Sequence, residues 1–230
     1  MVAIHRIGRT SLGAAYRSQL GVLTKKGTIG FDESTWPFES CFSSGNVEYV
    51  QNISSDISLI DQCSLVFAGI AGYCGNAIRF DTADWPAIKT WIEDGGRFFL
   101  STEWGDEDPD DSCLQDPSRV ADFLVQLGST IIYDGDSFDC GCEQESGGLM
   151  TPGDANIGAG IWDHGMACTA ELTGGTTVFL SPSGKRMIVV EALGSGFLFV
   201  SGDSNLWAGC NYTNCTILTR MLNYANGDII

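Results

Sequence analysis

The sequence predicts a mixed α/β domain with a doubly wound, mostly parallel sheet, an antiparallel C-terminal extension and an irregular N-terminal arm. Ser64–Ile70 is a continuous apolar run, which is typical of a strand buried on both faces of a parallel sheet. Helical patterns separate the early apolar runs, whereas glycine-rich turns join the later ones, which favours antiparallel pairing. The first 30 residues contain five glycines, which would interrupt a helix. We therefore expect an arm over residues 1–30 and one α/β domain over residues 31–230.

Local signals place the other elements. One helix is expected after Asp84, a good N-cap, and ends at Gly95; a second runs from Ser118 to Leu127. Residues 134–160, rich in Gly, Asp and Ser, are expected to form a long loop. The remaining predictions are strands at Val47–Ile53, Arg97–Leu100, Thr130–Tyr133, Met166–Leu172, Thr176–Ser181, Met187–Ala192 and Phe197–Ser201, a helix at Cys215–Ala225, and Thr28–Asp32 as a candidate first strand.

Charge is divided unevenly between the arm and the body. The net charge is −17, yet no acid precedes Asp32, so removing five arm cations from the total leaves −22 for the rest. The arm is either a solvated tail or a segment that docks on an acidic surface of its own or another subunit. Direct nucleic-acid binding is disfavoured because the acidic body repels phosphates. The arm cations are Arg6, Arg9, Arg17, Lys25 and Lys26.

Nine cysteines are many for a protein that stays in a reducing compartment. The odd count leaves at least one thiol free or paired between chains. Cys140 and Cys142, with Cys210 and Cys215, are candidates for disulfides or, alternatively, for a four-cysteine metal site. We expect neither a signal peptide nor a membrane-spanning segment. These expectations together suggest a location outside the reducing cytosol, such as a virion.

The loop after the Arg97–Leu100 strand stands where α/β sheets bind ligands, outside the carboxyl ends of their strands. It reads Ser101-Thr102-Glu103-Trp104-Gly105 and contains no cysteine. Ser101 or Thr102, together with the distant His164, supplies the nucleophile and base of a serine-type triad, and the acid would be Glu103 or Asp163. The alternative for His164 is an ordinary turn residue, because one histidine among many hydroxyls is a weak signal.

Two segments resemble the class I glutamine amidotransferase-like superfamily, especially its non-catalytic members. One is SLVFAGI followed by WPAIKTWIEDGGRFFLSTEWG, and the other is MIVVEALGSGFLFVSGDSNLW followed by TILTRMLNYANG. The resemblance covers about residues 47–227 and implies a flavodoxin-like sheet. In catalytic members the strand after the helix delivers a cysteine on a G-x-C-x-G elbow, and a later His and Glu complete the triad. Here Ser101-Thr102-Glu103-Trp104-Gly105 holds that position and the late His-x-Glu pair is missing, so the resemblance implies no amidotransferase activity.

Two further groups of residues have alternative interpretations. Asp134, Asp136 and Asp139 begin like a calcium loop, but Asp139 stands where an EF-hand needs glycine, so a solvated acidic loop is the alternative. Trp104 and Trp162 are expected at strand ends or in loops, where an indole can fill a partner's pocket, stack on a sugar or cap the core. No cofactor is expected.

These observations predict a non-enzymatic structural or interaction protein, a subunit of a larger assembly such as the capsid decoration or tail of a virion. Its expected partners are other protein subunits, identical or different. The alternative is a hydrolase or carbohydrate-binding module that uses the cleft at the carboxyl ends of the strands. We expect a chain without residues 1–28 to keep its folded core and to lose assembly.

Overall fold

The structure is a computed structural model. It describes residues 22–25, 47–50, 60, 65–68, 82–102, 117–138, 151–153, 169–181, 183–202, 224–225 and 228–229. The helices are α1 (Trp85–Glu93), which follows a 3-10 turn at Thr82–Asp84, and α2 (Pro117–Leu127). The strands are β1 (Val22–Lys25), β2 (Val47–Val50), β3 (Leu65–Ala68), β4 (Arg97–Ser101), β5 (Ile132–Phe138), β6 (Thr151–Pro152), β7 (Thr169–Thr173), β8 (Thr176–Leu180), β9 (Arg186–Leu193), β10 (Gly196–Ser201), β11 (Tyr224–Ala225) and β12 (Asp228–Ile229).

Eight of these strands form one sheet in the order β2-β1-β3-β4-β10-β9-β8-β6. The first five strands in this order, β2, β1, β3, β4 and β10, pair in parallel. Strands β9, β8 and β6 continue the sheet by antiparallel pairing. Two antiparallel pairs, β5 with β7 and β11 with β12, lie outside this sheet. The predicted mixed α/β fold, with a mostly parallel sheet and an antiparallel C-terminal part, is confirmed.

Both helices end in the same way. Gly95 follows α1 with a φ of 112°, and the N–H of Gly96 donates to the Trp91 carbonyl at 3.0 Å. At the end of α2, the N–H of Ser129 donates to the Leu124 carbonyl at 3.0 Å. Such bonds satisfy carbonyls that a helix end leaves free and turn the chain toward the sheet. The start of α1 differs from the prediction, because Asp84 makes no capping bond with its side chain and belongs to the 3-10 turn.

A glycine-rich hairpin locks β9 and β10 against the end of α1. The N–H of Ser195 donates to the Glu93 carbonyl at 2.7 Å, and the N–H of Phe197 donates to the Gly96 carbonyl at 3.0 Å. A Cβ atom at Gly196 would overlap the backbone oxygens of Ile92 and Gly96. The G-x-G pattern of this hairpin therefore permits a close backbone approach.

The two faces of the sheet have separate apolar layers. Phe98 and Leu100 of β4 face the cluster formed with both helices, in which the Trp85 and Phe123 rings meet edge to face at 5.3 Å. Phe99 alternates with them and stacks at 6.2 Å on Phe199 of β10. All of these side chains are buried, so the central strands are covered on both faces, as their apolar sequences predict.

Several elements differ from the prediction. Strand β6 lies within the predicted loop at residues 134–160, where it pairs with β8. Val22–Lys25, inside the predicted arm, forms β1 between β2 and β3; the candidate strand at residues 28–32 lies outside the described part. Strand β5 continues to Phe138, into the predicted loop, because it pairs with β7. Tyr224–Ala225, predicted as the end of a helix, pairs with β12 instead. The intervening Asn226-Gly227 is the dipeptide most favoured in two-residue hairpins.

Candidate functional site

The carboxyl ends of β4 and β10 form the candidate site. These neighbouring strands run parallel in a register that pairs Ser101 with Ser201. Alternation along each strand places both serines on the sheet face that carries Phe99 and Phe199. Both serine side chains are 0% exposed. Two hydroxyl groups therefore lie side by side at the edge where α/β sheets carry their ligands.

Thr102 closes this edge. Its backbone N–H donates to the Ser201 carbonyl at 2.8 Å, and its hydroxyl donates to the same oxygen at 2.6 Å. Thr102 is 0% exposed as well. Its hydroxyl hydrogen is thus engaged with the neighbouring strand, and its burial keeps solvent and substrate away.

The residue after Ser201 is held equally tightly. The N–H of Gly202 donates to Met187 of β9 at 2.9 Å, and its carbonyl accepts from Ala170 of β7 at 2.8 Å. A Cβ atom at Gly202 would overlap the Ala170 oxygen. The end of β10 is therefore joined to β4, β9 and β7 through backbone bonds.

The Ser101 hydroxyl takes no part in these hydrogen bonds. Its Oγ is buried and has no hydrogen-bond partner among the residues that the structure describes. A nucleophilic serine needs an adjacent base and access for a substrate atom. The described residues give Ser101 neither, so its surroundings differ from those of a strained, exposed nucleophile elbow.

Of the predicted site residues, the structure describes only part. Ser101 lies as stated above, the backbone of Lys25 lies in β1, and Asp134 and Asp136 lie in β5. The others lie outside the described residues: Glu103, Trp104, Trp162, His164, Asp139, Arg6, Arg9, Arg17, Lys26, Cys140, Cys142, Cys210 and Cys215. The triad, disulfide and arm interpretations therefore stay predictions.

Two of the three calcium candidates lie in a strand and not in a loop. Asp134 and Asp136 lie in an extended strand, whereas a calcium-binding loop wraps its carboxylates around the ion. Within the described ranges, no group of three or more His, Cys, Asp or Glu residues could hold a metal ion. Asp139 is not among them, so the site itself stays a prediction.

Ser201 was not among the predicted site residues. It ends an apolar strand one hundred positions after Ser101, and no local pattern joins the two. The sequence does hold one signal for it: two apolar runs, FFLS and FLFVS, each end in a serine. Neighbouring parallel strands bring such ends together.

Comparisons with known proteins concern the fold. The chain is similar to a β-galactosidase from Bacillus circulans sp. alkalophilus (TM-score 0.55, 9% identity, covering 90% of this chain and 31% of that one). It is also similar to a cold-adapted β-galactosidase from Rahnella sp. R3 (TM-score 0.53, 14% identity, 89% and 31%). A cytoplasmic protein from Salmonella typhimurium gives a TM-score of 0.53 at 12% identity, covering 90% of this chain and 99% of that one.

These similarities concern the fold and not the activity of the neighbouring proteins. The chain spans about a third of the length of the two β-galactosidases, so their activity belongs to much longer proteins. No protein-family model and no curated protein sequence matches the chain. In the part of the chain that the structure describes, no helix is long and apolar enough to cross a membrane.

Proposed function

We propose that the protein is a non-enzymatic structural or interaction subunit of a larger assembly. Its scaffold would be of the flavodoxin-like type found in the class I glutamine amidotransferase-like superfamily. The observation that carries the proposal is the burial of Ser101 and Thr102, each 0% exposed, at the strand end that leads into the elbow of catalytic members. The cysteine of that elbow corresponds to Glu103 in this chain. A side chain that no substrate atom can reach does not act as a nucleophile.

The order of the strands supports the flavodoxin-like assignment. In that fold the parallel strands have the order 2-1-3-4-5. The described parallel strands have the order β2-β1-β3-β4-β10, in which β10 takes the fifth place. Strands β5 to β9 would then be an insertion between the fourth and fifth positions, part of which extends the same sheet.

Assembly is supported by the division of charge along the chain. The segment before β1 carries arginines and no acid, whereas the body is strongly acidic. Opposite charges on two surfaces steer and orient their association. The more specific prediction of a virion component rests on the cysteines and on this segment, which lie outside the described residues.

The test combines activity with size. We expect neither glutaminase activity nor hydrolysis of aryl galactosides above the blank, in the wild type or in Ser101→Ala. Light scattering should show a species larger than the monomer. Its size should be unchanged in Ser101→Ala, because the substitution removes a buried hydroxyl that has no hydrogen-bond partner among the described residues. Activity that Ser101→Ala abolishes, or a monomer at every concentration, would contradict the proposal.

A second candidate function is a hydrolase or carbohydrate-binding module. Two observations favour it. The Ser101 hydroxyl at the carboxyl edge has no hydrogen-bond partner among the described residues, and the fold is similar to that of two proteins named β-galactosidases. Calorimetric titration with galactosides and mannosides separates the two candidates. Saturable binding that Glu103→Gln, Trp104→Ala or His164→Ala removes would favour this function over the scaffold.

A further inference from the structure

We propose that a surface patch formed by Asp122, Val125, Ile132 and Asp134 binds the basic segment that precedes β1, residues 1–21. The proposal deepens the proposed function, because it names the contact through which copies of the chain would assemble. We call these four residues the α2–β5 patch.

The apolar centre of the α2–β5 patch stands out from the rest of the surface. Val125 is 72% exposed and Ile132 is 62% exposed. Within the described ranges they are the two large hydrophobic side chains that are exposed, and the same short connection, residues 128–131, separates them. Helix α2 and β5 pack against each other and turn their buried faces into the same core cluster, so both exposed side chains lie on the outer surface of adjoining elements. Isolated exposed apolar side chains are common, but exposed apolar side chains on adjoining elements mark a binding surface more often.

Their exposure follows from the pattern of each element. Val120, Phe123, Leu124 and Leu127 turn the other face of α2 into the core, which leaves Val125 outside. In β5 and the residue before it, Ile131 and Tyr133 are buried, whereas Ile132 and Asp134 are exposed. Neither apolar side chain can turn inward without reversing an element whose opposite face is fully packed.

Two carboxylates flank this apolar centre. Asp122 lies one helical turn before Val125, and Asp134 lies two residues after Ile132 on the same face of its strand. Both are exposed, and neither has a hydrogen bond or ion pair with another residue in the described part. The nearby cation Lys89, whose Nζ approaches Gly128, lies 3.9 Å from Glu93. The patch therefore suits an extended segment with apolar and basic side chains.

The connection between the two apolar residues is rigidly held. Glu191 of β9 accepts hydrogen bonds from the Ser129 hydroxyl at 2.5 Å and from the Thr130 hydroxyl at 2.6 Å. The backbone N–H of Thr130 also donates to this carboxylate, at 2.9 Å. A surface that is fixed before binding loses little conformational entropy when a partner arrives.

Residues 1–21 match the patch in chemistry and in reach. They contain Arg6, Arg9 and Arg17, interspersed with Ile4, Ile7 and several other apolar residues, and no acid. Twenty-one extended residues span up to about 70 Å, whereas a compact domain of this size has a radius of gyration of about 17 Å. The segment can therefore reach the patch of its own chain or of a neighbouring copy.

Limited proteolysis of the full chain tests the contact. Trypsin should cut after Arg9 and Arg17 at least fivefold more slowly in the wild type than in the double variant Val125→Ser/Ile132→Ser, as followed by intact mass. Ala192→Ser, at an exposed position of β9, is the matched control, and trypsin should cut this variant at the wild-type rate. Asp122→Asn/Asp134→Asn should also speed cleavage, by a factor that 0.5 M NaCl reduces, because salt screens exposed charges.

The outcomes separate this proposal from the proposed function. Slow cleavage that appears only with assembly supports both, and slow cleavage in a stable monomer supports the contact while contradicting assembly. Equal cleavage rates in all variants overturn the contact even if the chain assembles. All substituted side chains are exposed, so thermal unfolding should be unchanged and a folding defect is readily recognised.

Discussion

At the scale of single residues, Gly196 shows how a missing side chain sets the distance between two elements. It opens β10 and lies directly against the carbonyls of Ile92 and Gly96 at the end of α1. Gly184 is a useful contrast, because it has a φ of 82° but open space where its Cβ would lie. A substitution at Gly196 therefore tests close packing, and a substitution at Gly184 tests backbone conformation.

Gly196→Ala should lower the free energy of unfolding by about 3 kcal/mol, because backbone atoms cannot move aside as a flexible side chain can. Gly184→Ala should cost only about 1 kcal/mol, the strain of a left-handed alanine. Urea denaturation of both variants measures the difference. Equal losses would show that the hairpin does not press against α1 as described.

The sequence predicts the two turns that make this contact but not the contact itself. The Gly95-Gly96 stop and the G-x-G hairpin are both visible in the sequence, each as a local turn. That the hairpin meets the stop is a long-range contact between positions about one hundred residues apart, and local patterns carry no information on it. The pairing of Ser101 with Ser201 was missed for the same reason.

At the scale of elements, Glu191 fastens the α2–β5 connection to β9. Its carboxylate accepts from one backbone N–H and from the hydroxyls of Ser129 and Thr130. Hydrogen bonds to a charged acceptor are stronger than neutral ones. Glu171 is the matched acid on β7, where it pairs with Lys185 at 2.9 Å while both side chains stay well exposed.

Glu191→Gln should lower the free energy of unfolding by about 1–2 kcal/mol, because an amide has one acceptor oxygen where the carboxylate has two. Glu171→Gln should cost less than about 0.5 kcal/mol, as is usual for an exposed ion pair. Thermal or urea unfolding of the two variants gives the comparison. A larger loss in Glu171→Gln would contradict the assigned role of Glu191.

Elements with strong local signals were predicted and the others were not. Helix α1 and strands β8, β9 and β10 follow the sequence closely, because their apolar periods are clear and glycine turns bound them. The sequence predicts a strand that ends at Tyr133, because Gly135 and the aspartates around it disfavour strands locally. Pairing with β7 extends β5 to Phe138 in spite of them. The sequence predicts a helix at Tyr224, but its ring packs against Phe197 at 4.9 Å and Phe199 at 5.9 Å, which are contacts set by the whole fold.

At the scale of the whole molecule, β1 changes where the arm ends. The sequence predicts that residues 1–28 are dispensable for the core, yet Val22–Lys25 pairs with β2 on one side and β3 on the other. Removing this interior strand would leave β2 without its partner among the described strands and β3 unpaired on one side. A truncation that tests assembly must therefore end before β1.

Deletion of residues 1–20 should leave the chain folded and abolish its assembly, whereas deletion of residues 1–28 should unfold it. The first removes the arginine-bearing segment and keeps β1, and the second removes β1 itself. Circular dichroism with thermal melting measures folding, and light scattering measures size. A folded chain without residues 1–28 would place β1 outside the structural core, and normal assembly without residues 1–20 would rule out the basic segment as the contact that joins the copies.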